Sequence, residues 1–138
     1  MGYAVKAIGW LGLLCCTGLD AATDSVCSAA SDTAMVQENN GYSMAVQFQP
    51  EALQVGQLHS LVVHVCDDAQ QPYVGSIDAT AIMPAHNHGM NYRPRFNMSA
   101  PGQYLGTGFL FHMPGDWQLK VTINPAGERQ YFAYDLSL

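Results

Sequence analysis

The sequence contains little charge, and its few cations are too scattered to form a surface that binds nucleic acid. Only 12% of the 138 residues are charged, with five Lys and Arg against eleven Asp and Glu, and the net charge is −6. Proteins that bind nucleic acid neutralise phosphates with clustered Lys and Arg. Outside the N-terminal segment the cations are Arg93, Arg95, Lys120 and Arg129. We therefore expect no nucleic-acid partner.

The sequence also lacks helical periodicity, internal repeats and any sign of a second domain. Its apolar residues instead occur in short runs, several of which alternate with polar residues, and turn residues such as Pro and Gly separate the runs. These patterns predict an all-β fold, a single antiparallel Ig-like β-sandwich of about seven strands, with a small barrel as the alternative. The predicted strands are 42–48, 58–66, 77–83, 103–113, 117–124 and 131–136.

A long apolar run is missing at the N-terminus, where a short one follows a single cation. Lys6 precedes the apolar residues 7–14, a pattern typical of a secretory signal and too short to span a bilayer. We predict a signal peptide over 1–22 and a periplasmic or other extracytoplasmic location. Residues 13–16 also resemble a lipoprotein signal, so the alternative is a protein anchored by a lipid on Cys16.

Cysteine is scarce once this segment is removed. Cys27 and Cys66 then remain, an even pair in an oxidising compartment, and the sequence has no CxxC motif. We predict a disulfide that closes a loop of about 40 residues and contributes about 4 kcal/mol in the chain-entropy interpretation. The alternative is that a thiol binds a soft metal. The small polar residues of 23–40 predict a flexible lead-in before a sandwich domain over 41–138.

The most informative segment is MPAHNHGM, residues 83–90, which follows a predicted strand. In an extended chain, side chains two residues apart point to the same side, so His86, His88 and Met90 would converge. His112 and Met113, at the end of the predicted strand 103–113, are further donors and would approach this segment if the two strands are neighbours; Met98 is another. The candidate metal ligands are Met83, His86, His88, Met90, His112 and Met113.

Thioether and imidazole together indicate copper as Cu(I), Cu(II) or both, because thioethers bind Cu(I) well and bind Zn, Mg or Ca poorly. We therefore expect a copper-binding protein that serves copper storage, transfer or tolerance. The alternative is an interaction module in which the HNHG turn docks rigidly on a partner. No nucleophile motif indicates an enzyme. His59 and His64 are interpreted as structural histidines and are not included in the site.

Two motifs carry a resemblance to a known family. MPAHNHGM and GQYLGTGFLFHMPGDW, residues 83–90 and 102–117, resemble the signature of the YtkA-like family, to which FixH-related proteins are linked. The matching positions are Met83, Pro84, His86, His88, Gly89, Met90, Gly102, Tyr104, Phe111, Met113, Gly115 and Trp117. The resemblance implies a small extracytoplasmic Ig-like sandwich with a metal-related or respiratory role, and a periplasmic or membrane copper or respiratory protein as partner. His112 lies outside the family pattern.

We predict that the exported protein is cleaved so that it begins at about residue 19 to 23. Intact mass measured on protein from the periplasmic fraction checks this result, and replacing residues of the apolar run 7–14 with charged ones should block the cleavage. A full-length product found only in the cytoplasm would contradict the prediction.

Overall fold

Strands with apolar residues at alternate positions form two antiparallel sheets that pack face to face. The computed structural model describes Cys27 and residues 31–138. The strands are β1 Met35–Asn39, β2 Tyr42–Gln49, β3 Leu58–Asp67, β4 Ile77–Met83, β5 His88–Gly89, β6 Arg95–Ala100, β7 Gln103–Leu110, β8 Asp116–Ile123 and β9 Gln130–Ser137. The first sheet has the strand order β1-β2-β3-β7-β6 and the second the order β5-β4-β8-β9. The predicted antiparallel sandwich is confirmed.

The predicted signal peptide, 1–22, and the alternative lipid site at Cys16 lie outside the described residues. Within the part of the chain that the structure describes, no helix is long and apolar enough to cross a membrane. The described helical segments are short 3-10 turns at Pro84–His86 and Pro125–Gly127.

The core lies between the sheets, where the inward residues of both interdigitate. Met44 and Leu61 contribute from the first sheet and Leu119 and Phe132 from the second, and all four are almost fully buried. Each such side chain stabilises the fold by roughly 1.5–3 kcal/mol relative to an exposed one. Burial alternates regularly in β8 and β9, and the buried residues of β8 coincide with the apolar positions of its sequence pattern.

A bulge in β7 determines which way the end of this strand faces. The register between β3 and β7 shifts so that Ser60 pairs with Thr107 while His59 pairs with Phe109. Gly108, between them, has a φ of 92°, a conformation that glycine adopts without a steric penalty. The extra residue returns Phe109 to the core side, and Phe111 follows it. The direction of the chain at 111–113 therefore depends on this bulge.

The structure differs from the predicted strands in three places. Met35–Asn39 form β1 inside the segment 23–40 that the sequence predicted as a flexible lead-in, so the sandwich begins before residue 41. Arg95–Ala100 form β6, which no sequence pattern predicted. Both are edge strands whose residues are mostly exposed, so they carry little hydrophobic alternation. The strand predicted over 103–113 ends at Leu110. Residues 31–138 therefore form nine strands, rather than about seven.

The predicted disulfide is confirmed. Cys27 and Cys66 are bonded, with their Cα atoms 5.7 Å apart. Cys66 lies near the end of β3 and is 4% exposed, so the bridge fastens the chain that precedes β1 to the first sheet.

Two buried tyrosines fasten the connection that leads from β3 in the first sheet to β4 in the second. The Tyr104 hydroxyl donates to the Tyr73 carbonyl at 3.0 Å and accepts from the Gly75 N–H at 3.1 Å. The Tyr73 hydroxyl donates to the Ser76 carbonyl and accepts from the Asn124 N–H. Burial raises the pKa of the Tyr104 hydroxyl, so it remains protonated and can donate.

We predict that Tyr104→Phe lowers the free energy of unfolding by about 1–2 kcal/mol, because the Gly75 N–H loses its partner inside the protein. The matched control is Tyr131→Phe on β9, whose ring is exposed; its effect should stay within about 0.5 kcal/mol. Urea unfolding followed by fluorescence compares the two variants. Equal stability of both variants would show that the buried hydroxyl does not fasten the connection.

Candidate metal centre

The segment between β4 and β5 reverses the chain within four residues. Pro84–His86 form one 3-10 turn, and Asn87 adopts the left-handed conformation with a φ of 51°. The chain then returns beside β4, so that His88 pairs with Met83 and Gly89 with Ile82. The extended conformation that we expected for 86–90 is therefore wrong, because the turn separates His86 from His88.

The return strand places His88 on the core side of its sheet. Directly opposed residues on antiparallel strands project to the same face, and Met83, the partner of His88, is only 2% exposed. A Cβ atom on Gly89 would lie 3.0 Å from the Ala81 carbonyl oxygen, so glycine permits the close approach of β5 to β4. His88 is thus half-buried at the end of the core, with its Nε2 atom buried.

His112 reaches the same place from the other sheet. It follows the end of β7, and its ring centroid lies 5.1 Å from that of His88. Both imidazoles contact Trp117 edge to face, with ring centroids 5.4 Å and 6.0 Å from it. The Trp117 indole N–H also donates to the Met113 carbonyl at 3.1 Å, which fixes the turn after His112. The two sequence motifs therefore meet around one tryptophan.

Two nitrogen atoms at this place have no hydrogen-bond partner. His88 Nε2 and His112 Nδ1 are both buried and unpaired. More than nine in ten buried polar groups in proteins are hydrogen-bonded, and an unpaired one costs about 1–3 kcal/mol. Two nitrogens bound to one ion at 2.0–2.1 Å are at most about 4 Å apart, a span that rings at this separation can provide. The arrangement can therefore offer two imidazole lone pairs to one ion.

The structure places the other predicted ligands at different depths. His86 is exposed, with its ring centroid 5.9 Å from that of His88. Met90 and Met113 are half-buried and pack against the core. Met98 lies on β6 in the other sheet and is half-exposed. Among the described residues, no group of three or more His, Cys, Asp or Glu is arranged to hold an ion, and the predicted donors that remain besides the histidines are thioethers.

His59 contrasts with this pair. It is 2% exposed, its Nε2 accepts from the Gln54 N–H, and its Nδ1–H donates to the Pro50 carbonyl, each at 3.2 Å. The prediction that His59 is a structural histidine is confirmed. His64 lies between the inward residues Val63 and Val65 of β3, so it faces away from the core.

Sequence reasoning missed the part that Trp117 plays. It begins the predicted strand 117–124, and only 1% of its surface is exposed. Its contacts with both imidazoles and with the Met113 carbonyl require two sheets to meet, which a pattern along one strand does not reveal. The spacing HMPGDW is the available signal, since four residues separate His112 from Trp117 across a tight turn.

Several solved structures share the fold. A DUF4426 family protein from Pseudomonas aeruginosa PAO1 is 12% identical, with a TM-score of 0.56 over 75% of this chain and 96% of the other. FetP of uropathogenic E. coli strain F11 is 10% identical, with a TM-score of 0.52 over 75% and 92% of the two chains. A copper-bound variant of FetP, also 10% identical, gives 0.51 over 77% and 90%. At these identities the likeness shows the fold alone.

The sequence itself identifies the family. No curated protein sequence matches the chain. The model of the YtkA-like family, however, matches residues 36–122, which is more than half of the chain. The match begins within β1, ends within β8 and includes both motifs of the site. The chain therefore belongs to the YtkA-like family.

Proposed function

We propose that this protein binds copper outside the cytoplasm, for storage, transfer or tolerance, and that His88 and His112 hold the ion. The observation that carries the proposal is the pair of buried, unpaired imidazole nitrogens whose rings lie 5.1 Å apart. His86 lies on the solvent side of this pair, where it can contact an incoming ion first. The remaining candidate donors are the thioethers of Met83, Met90 and Met113.

The donor types favour copper over other metals. Zinc in proteins is usually bound by Cys thiolates, or by His with carboxylates. Both described cysteines are joined in the disulfide, and no carboxylate completes a cluster with the two histidines among the described residues. Imidazole binds both oxidation states of copper, and thioethers bind Cu(I). Calcium and magnesium prefer several carboxylate and carbonyl oxygens, and the described part of the chain has no carboxylate cluster at this place.

The comparisons support copper and an extracytoplasmic location. A protein of the same fold, a FetP variant, was crystallised with copper, and FetP was expressed in a periplasm. The disulfide fits an oxidising compartment, as does the predicted signal peptide. We expect the ion to be exchanged with a second protein in the periplasm or the membrane, one that handles copper or serves respiration.

The alternative is an interaction module that docks through the HNHG turn. That function requires the imidazoles to stiffen the turn, so they should be hydrogen-bonded to its backbone. The unpaired His88 Nε2 favours metal binding instead. The proposal is also one of binding rather than catalysis, since it assigns no nucleophile and no general base.

We predict that His88→Ala and His112→Ala each weaken copper binding by at least about 100-fold, because each removes one of two nitrogen ligands. His86→Ala should weaken it less, since His86 is exposed. Affinities are measured by competition with chromophoric chelators. The matched control is His64→Ala, a histidine that faces away from the core on the other sheet and should leave the affinity unchanged. If all four variants bind copper as the parent does, the site is wrong.

We predict that His88→Phe does not lower the stability of the metal-free protein, and raises it by up to about 2 kcal/mol, because an aromatic ring without an unpaired nitrogen replaces the imidazole. His59→Phe is the matched control, since the same substitution there breaks two hydrogen bonds and should cost about 1–3 kcal/mol. Urea unfolding in the presence of a chelator measures both. If His88→Phe costs as much as His59→Phe, the His88 side chain serves the fold rather than an ion.

A further inference from the structure

The oxidation state of the ion follows from the number, charge and depth of its donors, provided that the proposed copper site exists. We infer that the site selects Cu(I), which is bound by His88 Nε2, His112 Nδ1 and the thioether sulfur of Met83.

The first argument is the number of donors. The structure offers two unpaired nitrogens, and within the described ranges no His, Cys, Asp or Glu joins them to make a third such ligand. Cu(II) favours a tetragonal set of nitrogen and oxygen ligands, which two imidazoles do not complete. Cu(I) is stable with two or three ligands and accepts soft thioethers. A site with two imidazoles and a sulfur therefore matches the lower oxidation state.

The second argument is the position of Met83. This residue is the direct partner of His88 in the pairing of β4 with β5, and opposed Cβ atoms lie about 4.5–5.5 Å apart. Its Cε atom lies 3.0 Å from where a Cβ on Gly115 would be, so the side chain reaches from His88 to the turn after His112. The sulfur of Met83 is bonded to this Cε atom, so the proposal places it between the segments that carry the two histidines. Met90 and Met113 lie nearer the rim.

The third argument is the cost of burying charge. Both nitrogens are buried, and both imidazoles contact Trp117, whose ring in turn packs edge to face against Phe111 at 5.3 Å between centroids. The solvation free energy lost when an ion is buried rises with the square of its charge, and carboxylates that could neutralise a divalent ion are not placed here among the described residues. Neutral ligands in an apolar setting therefore favour a monovalent ion.

Binding to each oxidation state tests the selectivity. Cu(I) affinity is measured without oxygen in the presence of a reductant, and Cu(II) affinity in air, each by competition with a chelator of known affinity. We expect Cu(I) to bind at least about 100-fold more tightly than Cu(II), and Ag(I), a redox-inert monovalent ion, to compete with it. Equal or tighter Cu(II) binding would overturn the selectivity while leaving the proposed function intact. Binding of neither ion would overturn both.

The thioether of Met83 is tested separately. Met83→Leu keeps the side-chain volume and should lower Cu(I) affinity at least about tenfold while Cu(II) affinity is unchanged. Met98→Leu, on the exposed edge strand β6, is the matched control and should change neither. X-ray absorption of the unmodified Cu(I) protein provides a measurement that does not depend on the variant folding, and it should detect a copper–sulfur bond. If no such bond is detected, Met83 is not a ligand.

Discussion

The pairing of β5 with the end of β4 is the constraint on which the candidate site depends. It consists of two residue pairs, yet it determines that His88 faces the core beside Met83. Without it, residues 84–94 would form an ordinary surface loop in which a histidine could hydrogen-bond to water. Pro84, the left-handed Asn87 and Gly89 each serve this reversal, the last because a side chain there would strike the Ala81 carbonyl. The residues of this turn therefore place the polar ring of His88 at an apolar end of the sandwich.

Trp117 connects the stability of the fold with the geometry of the site. It is nearly fully buried, packs against Phe111, and holds the turn after His112 through the Met113 carbonyl. Both imidazoles lie against the same indole. The imidazoles are thus held by a residue that the core fixes in place, so binding an ion would require little ordering of the protein. Such pre-organisation reduces the entropic cost of binding.

The sequence predicted the sandwich because five strands, β2, β3, β4, β8 and β9, each bury one face. In the sequence, that burial is visible as alternating apolar residues or as an apolar run. It missed β1 and β6 because edge strands with exposed residues leave no such pattern. It also named both site histidines, for a reason that was only half correct. Alternation along 86–90 was expected to align His86 with His88, whereas the pairing of strands and the bulge at Gly108 bring His112 to His88 instead. These are contacts between distant segments, which periodicity along one segment does not encode.

The contrast between His59 and the pair His88 and His112 gives the strongest physical reason to assign a ligand, because all three have buried ring nitrogens. His59 shows that the fold can bury an imidazole and satisfy both of its nitrogens with nearby backbone groups. At His88 and at His112, by contrast, one buried ring nitrogen has no hydrogen-bond partner. An apolar ring would fill the same space without that penalty, so stability alone does not explain two histidines here. A group that accepts both lone pairs does explain them, and for neutral donors in an apolar setting a soft monovalent cation is the group that fits.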